Sequence, residues 1–170
     1  GTGAAPVVAK IAHDMNILTV GMVTLPFSHE GERKMNTAKE GVDLLRQNMD
    51  ALVVVNNDNI EKLPEFRRIT VGETFSTVDE VLRQSIGSIV EMIETTGFIN
   101  VDFADAKTIL TQGNTSEAIL GTSVGKTALE AVQNAINSPL IELSIHGARG
   151  VIVNITGSED LTLDSVREAN

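Results

Sequence analysis

Two aspartates near the middle of the chain have the type and spacing needed for hydrolytic chemistry. Asp102 and Asp105 are three residues apart at the predicted start of a helix, within the segment Asn100–Asp105. They fit a helix cap, with Asp102 at the N-cap position and Asp105 three residues on. They also fit a carboxylate pair that orients a water for attack on a phosphoanhydride. The two roles are compatible, because a cap fixes the backbone from which the carboxylates project.

A second pair has the chemistry to recognise a nucleobase. Phe75 and Asp79 are four residues apart in a predicted helix, so they share one face. The ring could stack on a purine while the carboxylate accepts hydrogen bonds from N1–H and the exocyclic amine of guanine, a donor pair that adenine lacks. The alternative is a core phenylalanine beside a surface aspartate.

The glycines that open the chain precede a predicted helix. Small residues at Gly1, Thr2 and Gly3 let backbone N–H groups approach a phosphate, and the helix dipole adds to the attraction. A simple turn before the helix explains the same residues.

A third helix start carries both charges. Glu30 could hold ribose hydroxyls, and Arg33 or Lys34 could reach a phosphate. The alternative is a carboxylate that complements the helix dipole, with solvated basic side chains behind it.

Other catalytic motifs are absent from the sequence. There is no cysteine, and the three histidines (His13, His29 and His146) lack ligand spacing, so no zinc or other protein-held metal site is expected. Neither a Gly-x-x-x-x-Gly-Lys-Ser/Thr phosphate loop nor a Gly-x-Ser-x-Gly elbow occurs. The reactive candidates are therefore carboxylates and backbone amides.

Composition narrows the possible partners. The formal net charge of −10 argues against nucleic-acid binding and against adhesion to an anionic membrane, since both need clustered Lys and Arg. No apolar run reaches the roughly 18 residues that span a bilayer, so no direct membrane insertion is expected. Hydrophobic residues make up 42% of the chain, as in a globular domain.

The first part of the chain predicts alternating helices and strands. Helical spacing covers residues 7–15, buried strands are predicted at 17–24 and 51–55, and helices at 30–48 and 72–95. Continuous apolar strands that alternate with helices predict a parallel sheet covered by helices.

The second part is less regular. A short helix follows Asp102, residues 112–125 are ambiguous, a helix covers 127–137, a strand covers 151–155 and a last helix begins near Thr162. We therefore expect an α/β fold in which the long helix at 72–95 lies between two incomplete units, 1–99 and 100–170.

Taken in order, these segments resemble the FtsZ family, the prokaryotic relatives of tubulin. Residues 100–105 (Asn-Val-Asp-Phe-Ala-Asp) are identical to the family's synergy loop, and Phe75 with Asp79 matches its guanine-contacting pair. Residues 1–6 resemble the end of its glycine-rich signature, and residues 24–35 its Pro-Phe and Glu-Gly loop. Segments at 138–140, 147–151 and 154–157 resemble its second domain.

The resemblance implies a tubulin/FtsZ-like fold: the second half of a Rossmann-like GTP-binding domain (1–99, with the long central helix) and the start of an α+β second domain (100–170). It also implies a GTPase that uses GTP/GDP and Mg²⁺ and polymerises head to tail. The nucleotide would be bound by Gly1, Thr2, Gly3, Glu30, Lys34, Phe75 and Asp79. The residues that would enter the nucleotide site of the next subunit are Asn100, Asp102 and Asp105. The expected partners are further copies and division-ring adaptor proteins, in the cytoplasm at the division site.

Two features depart from the family pattern. The family has Arg where this chain has Lys34, which removes bidentate phosphate contact, although Arg33 is adjacent. Residues 113–127 differ in length and lack the usual Gly-Glu-x-Arg, so their continuity is open. The segments before Gly1 and after Asn170 are expected to be missing, and the chain alone is expected to be inactive.

Two other functions fit the same residues. The chain could be a non-catalytic fragment that only binds filament ends through residues 100–105. It could also derive from an archaeal tubulin-like shape protein with the same loop and another cellular role.

Overall fold

The structure is a computed structural model that describes most of the chain. It describes residues 1–62, 70, 73–94, 103–112, 117–138, 140–141, 145, 147–158 and 160–169. Its helices are α1 (Ala5–Asp14), α2 (Glu32–Arg46), α3 (Asn57–Ile60), α4 (Thr74–Glu94), α5 (Phe103–Thr111), α6 (Ala128–Ile136) and α7 (Leu163–Ala169). Its strands are β1 (Val20–Leu25), β2 (Ala51–Asn56) and β3 (Glu117–Ala118), and a 3-10 turn covers Ser28–Glu30.

The three strands form one parallel sheet in the order β1-β2-β3. β1 and β2 align from Val20 opposite Ala51 to Leu25 opposite Asn56, and Leu52 lies opposite Glu117 in β3. The parallel pairing predicted from the sequence is confirmed. β1 begins three residues later than predicted and is half-buried along its length, because it is an outer strand of the described sheet. β2, between two neighbours, is mostly buried.

Alternating residues of β2 supply two cores, one on each face of the sheet. Val53 and Val55 face a cluster that contains Val78 of α4. Leu52 faces the opposite cluster, with Leu45 of α2. Ala9 of α1 and Val42 belong to the second cluster, whereas Phe27, Ile60 and Leu140 belong to the first. Helices on both faces are the arrangement expected for a parallel sheet.

The long helix α4 was predicted at 72–95 and spans 21 residues, Thr74–Glu94. Its length is about 30 Å at 1.5 Å per residue. Val78 is buried against the sheet, whereas Phe75, one turn earlier, is 55% exposed. Within the described ranges, no helix is long and apolar enough to cross a membrane.

The second part contains the predicted helices and one strand that the pattern did not reveal. Thr127 caps α6 by accepting from the Glu130 N–H at 3.1 Å, and Thr162 caps α7 by accepting from the Ser165 N–H at 3.2 Å. The start of the last helix near Thr162 was predicted and is confirmed. β3 lies in the ambiguous stretch 112–125, where two paired residues give too short an alternation to detect.

The strand predicted at 151–155 is wrong. Residues 151–158 are described, and they form neither strand nor helix. Apolar β-branched residues there have strand propensity, but a strand also needs a neighbour to pair its backbone groups. None of the described strands pairs with this segment. Val151 is accordingly 69% exposed and Val153 40% exposed.

Candidate functional site

The candidate site lies at the carboxyl edge of the sheet. β1 ends at Leu25 and β2 at Asn56, directly opposite each other. Because the strands are parallel, the segment after β1 (residues 26–31) and the start of α3 leave the sheet on the same side. Ligands of open α/β sheets bind at this edge.

Glu30 is held in place by two contacts. Its Oε2 accepts from the Phe27 N–H at 2.9 Å, and its Oε1 accepts from Lys34 Nζ at 3.0 Å. The Lys34 ammonium beside it, with help from the Phe27 amide, holds the pKa of Glu30 below its usual range. The carboxylate is 15% exposed and the Lys34 side chain 67% exposed. Because the Lys34 side chain is mostly exposed, its ammonium group is accessible to an anionic ligand.

Glu30 lies just before α2, which begins at Glu32, and Lys34 lies in the first turn of that helix. Gly31 has a φ of +99° and makes the bend between the 3-10 turn and the helix, a conformation that favours glycine. Glu30 lies before this bend and not in the first turn of α2, so it acts through its own side-chain contacts and not mainly as a dipole partner.

Three aromatic rings meet beside this bend. The Phe27 ring is 1% exposed and lies 5.9 Å from the Phe75 ring at 76°, an edge-to-face contact. His29 stacks on Phe27 as well, with centroids 5.2 Å apart at 16°. Phe75 thus has a buried aromatic neighbour and is itself more than half exposed, so a planar ligand has access to it.

Asp79 lies one helical turn after Phe75 in α4 and is exposed. This placement confirms the shared helix face predicted from the four-residue spacing. Its carboxylate is accessible to a ligand that lies on the Phe75 ring.

Sequence reasoning missed Asn57. Its side chain is 4% exposed, and its Oδ1 is buried without a hydrogen-bond partner. An unpaired buried acceptor costs roughly 1–3 kcal/mol, and either a bound water or a ligand can supply the donor. The available signal was the polar run Asn56-Asn57-Asp58 directly after a buried strand.

The Gly1-Thr2-Gly3 segment forms an exposed turn before α1. The Ala5 N–H donates to the Gly1 carbonyl at 2.9 Å, and Pro6 lies in the first turn of the helix. Thr2 packs on α2 so closely that a Cβ at Gly41 would lie 2.4 Å from its methyl group. The structure therefore places this turn beside α2, at a helix start that suits an anion.

The carboxylates of the second part are only partly described. Asp105 lies in the first turn of α5 and is exposed. Asn100 and Asp102 lie outside the described residues, so the predicted cap and the geometry of the carboxylate pair remain predictions. Among the residues that the structure describes, no group of three or more His, Asp or Glu side chains could hold a metal ion.

Family models match both parts of the chain. The GTPase domain of the Tubulin/FtsZ family matches residues 1–65, and the C-terminal domain of the FtsZ family matches residues 113–170.

Solved structures agree. A point mutant of FtsZ from M. jannaschii is 42% identical, over 99% of this chain and 50% of that chain, with a TM-score of 0.88. An empty FtsZ dimer from the same organism is equally similar, with 49% of that chain covered. A GDP-bound monomer of CetZ1 from Haloferax volcanii is 20% identical over 79% of this chain and 39% of that chain, with a TM-score of 0.61, and shows a shared fold.

This chain spans about half the length of the M. jannaschii proteins that it resembles. Its parallel α/β sheet, its long central helix and both family matches have the same explanation. The chain belongs to the Tubulin/FtsZ family.

Proposed function

We propose that the full-length protein is a self-assembling GTPase of the cell-division ring, and that GTP is hydrolysed between head-to-tail subunits. The observation that carries the proposal is the exposed Phe75 ring, supported edge-on by buried Phe27, with Asp79 one turn further along α4. This is a platform and a hydrogen-bond acceptor for guanine at the carboxyl edge of a sheet in a family of GTPases.

Each part of the nucleotide has a proposed partner. Guanine stacks on Phe75 and donates to Asp79, and the unpaired Asn57 Oδ1 offers a second acceptor. Glu30 and Lys34 face the ribose and a phosphate, and the Gly1-Thr2-Gly3 turn offers backbone N–H groups to the phosphates. Mg²⁺ would be held mainly by phosphate oxygens, as is usual for this ion, and would offset their charge.

The hydrolytic step uses the second part of the chain. Asn100, Asp102 and Asp105 of one subunit approach the nucleotide of the next, as the exposure of Asp105 allows. A water oxygen bonds to the γ-phosphorus while the bond to the β,γ-bridging oxygen breaks. An aspartate takes the proton of the water, and GDP and phosphate are released.

Assembly and cellular role belong to the same proposal. A heterologous contact that repeats head to tail builds filaments instead of closed dimers. The partners would then be further copies of the protein and adaptor proteins of the division ring, in the cytoplasm at the division site. Residues 1–99 and 100–170 would be the nucleotide-binding and the activating parts.

The decisive experiment measures GTP turnover and light scattering of the full-length protein together. A GTPase that polymerises gives both signals, and both rise together with protein concentration. Filaments without turnover would favour a non-catalytic role. If the protein turns over GTP and forms filaments, but cells that lack it divide normally, the alternative role as a shape protein would be favoured.

A further inference from the structure

One carboxylate joins the segment after β1 to the start of α3, the two segments that leave the sheet at the candidate site. Asp58 Oδ1 accepts from the Ser28 N–H at 2.9 Å, and its Oδ2 accepts from the Ser28 hydroxyl. The two residues are 30 positions apart in the sequence. Their contact links the loop after β1 to the start of α3.

Asp58 is itself held in place through its backbone. Its backbone N–H donates to Asn56 Oδ1 at 3.0 Å, which caps α3 at the end of β2. The neighbouring Ile60 is fully buried in the core. The carboxylate therefore projects from the anchored start of α3 toward the loop after β1.

Ser28 lies between the residues that support the two halves of the proposed site, the base platform and the ribose and phosphate contacts. The residue before it, Phe27, supports the Phe75 ring at 5.9 Å. Two residues after it, Glu30 accepts from the Phe27 N–H and pairs with Lys34. A shift of Ser28 would move the base platform and the ribose and phosphate contacts together.

The charge on Asp58 is stable near neutral pH. Hydrogen bonds from the Ser28 hydroxyl and amide, opposed by partial burial, hold its pKa below the usual range. His29 and Lys62 are the nearby groups whose positive charge acts in the same direction. The carboxylate is thus available as a double acceptor at neutral pH.

We propose that Asp58 is a positioning residue that holds the Ser28 turn, and through it Phe27 and Glu30, in the geometry that binds the nucleotide. The inference rests on the proposed function. Asp58 acts through Ser28 and not by touching the nucleotide.

The test compares four variants of the full-length protein. D58A removes both acceptors, D58N keeps the shape and one acceptor oxygen, and S28A removes only the hydroxyl contact. D14A is the matched control, since it removes an exposed aspartate that pairs with Lys10 at the far end of α1. Hydrogen exchange of residues 27–31 is measured without nucleotide, and the affinity for a fluorescent GDP analogue is measured separately.

The expected results depend on which hydrogen bonds each variant removes. D58A should exchange faster at residues 27–31 and bind the analogue about tenfold or more weakly, as expected when hydrogen bonds to a charged group are removed. S28A should lie between D58A and the unchanged protein. D58N should restore most of both properties, and D14A should alter neither.

Each contrary outcome has its own meaning. Unchanged exchange in D58A would show that the carboxylate does not hold the turn. Faster exchange with unchanged affinity would show that the turn does not position the site, and equal losses in D58N and D58A would contradict the geometric role. If the unchanged protein bound no guanine nucleotide, the proposed function itself would fail and the positioning role with it.

Discussion

The Phe75 ring of α4 meets the Phe27 ring edge to face, with centroids 5.9 Å apart and planes at 76°. Phe27 is 1% exposed and Phe75 is 55% exposed, so the two rings share a contact but differ in environment. One ring belongs to the core and the other presents its face to solvent. Substitution of Phe27 should therefore lower mainly the stability, whereas substitution of Phe75 should lower mainly the nucleotide affinity.

The first prediction concerns this pair. Phe27→Ala should lower the free energy of unfolding by about 3–5 kcal/mol, because it empties a buried site. Phe75→Ala should lower it by about 1 kcal/mol, the worth of one aromatic contact. Its nucleotide affinity should nevertheless fall about tenfold, since stacking on a base contributes roughly 1–3 kcal/mol. Urea unfolding and nucleotide titration of the full-length protein measure the two effects. If Phe75→Ala bound nucleotide as tightly as the unsubstituted protein, the stacking role would be contradicted.

The second prediction concerns base choice. Asp79 can accept from two guanine donors, whereas adenine presents an acceptor at N1. Asp79→Ala should weaken GTP binding by on the order of 1.5–3 kcal/mol and bring the affinities for GTP and ATP closer together. Competition titrations with both nucleotides measure this. Equal affinities in the unchanged protein would refute the assignment, and the adjacent Glu80→Ala serves as the control because Glu80 pairs with Arg83.

Sequence patterns predicted those helices and strands whose apolar residues follow a regular pattern over several positions. β2 and α4 are examples: β2 is a continuous apolar run that is mostly buried, and the helical repeat of α4 includes Val78, which is buried against the sheet. Residues 151–155 show the limit of this reasoning. Their composition is that of a strand, but strand formation depends on a neighbour that a local pattern does not reveal.

Only part of the candidate site could be predicted, again because a local pattern relates only residues that are close in sequence. Phe75 and Asp79 are four residues apart, and that spacing alone places them on one helix face. The contacts that support the site join distant residues: Asp58 bonds to Ser28, and Phe27 contacts Phe75. No local pattern contains such pairs. Asn57 was missed because its significance lies in a missing hydrogen bond, which only the structure reveals.

The third prediction concerns pH and stability. The Ser28 hydrogen bonds lower the pKa of Asp58 from its ordinary value of 3.8. The unfolded chain therefore takes up a proton at a higher pH than the folded chain does, and stability is lost as pH falls through that range. Asp58→Asn cannot titrate, so its stability should fall less between about pH 5 and about pH 2. Urea midpoints across this range measure the slopes, and parallel slopes would contradict the prediction.

The fourth prediction separates binding from turnover. Asp102→Ala or Asp105→Ala in the full-length protein should abolish most GTP turnover and leave nucleotide affinity nearly unchanged, because in the proposed mechanism these groups serve the nucleotide of the next subunit. Filaments should still form and should last longer. Steady-state phosphate release, nucleotide titration and light scattering measure the three properties. Loss of affinity in proportion to turnover would place the carboxylates in the binding pocket of their own subunit.

The last prediction concerns the 170-residue chain by itself. It should not hydrolyse GTP at a meaningful rate. The Gly1-Thr2-Gly3 turn is exposed and supplies a few backbone amides, which is too little to hold a triphosphate. The chain spans about half the length of the related structures.

The same chain should still interfere with assembly of the full-length protein. If Asn100–Asp105 meets the nucleotide end of an intact subunit, the added chain occupies that end and prevents further growth. Because one capped end stops a whole filament, the effect should be substoichiometric. Light scattering of the full-length protein with increasing amounts of the chain measures it, and the Asp102→Ala/Asp105→Ala double variant of the chain is the control for the loop. Robust turnover by the chain alone would show that it already holds a complete catalytic site. Unaltered assembly, with the chain shown by circular dichroism to be folded, would remove the capping role of residues 100–105.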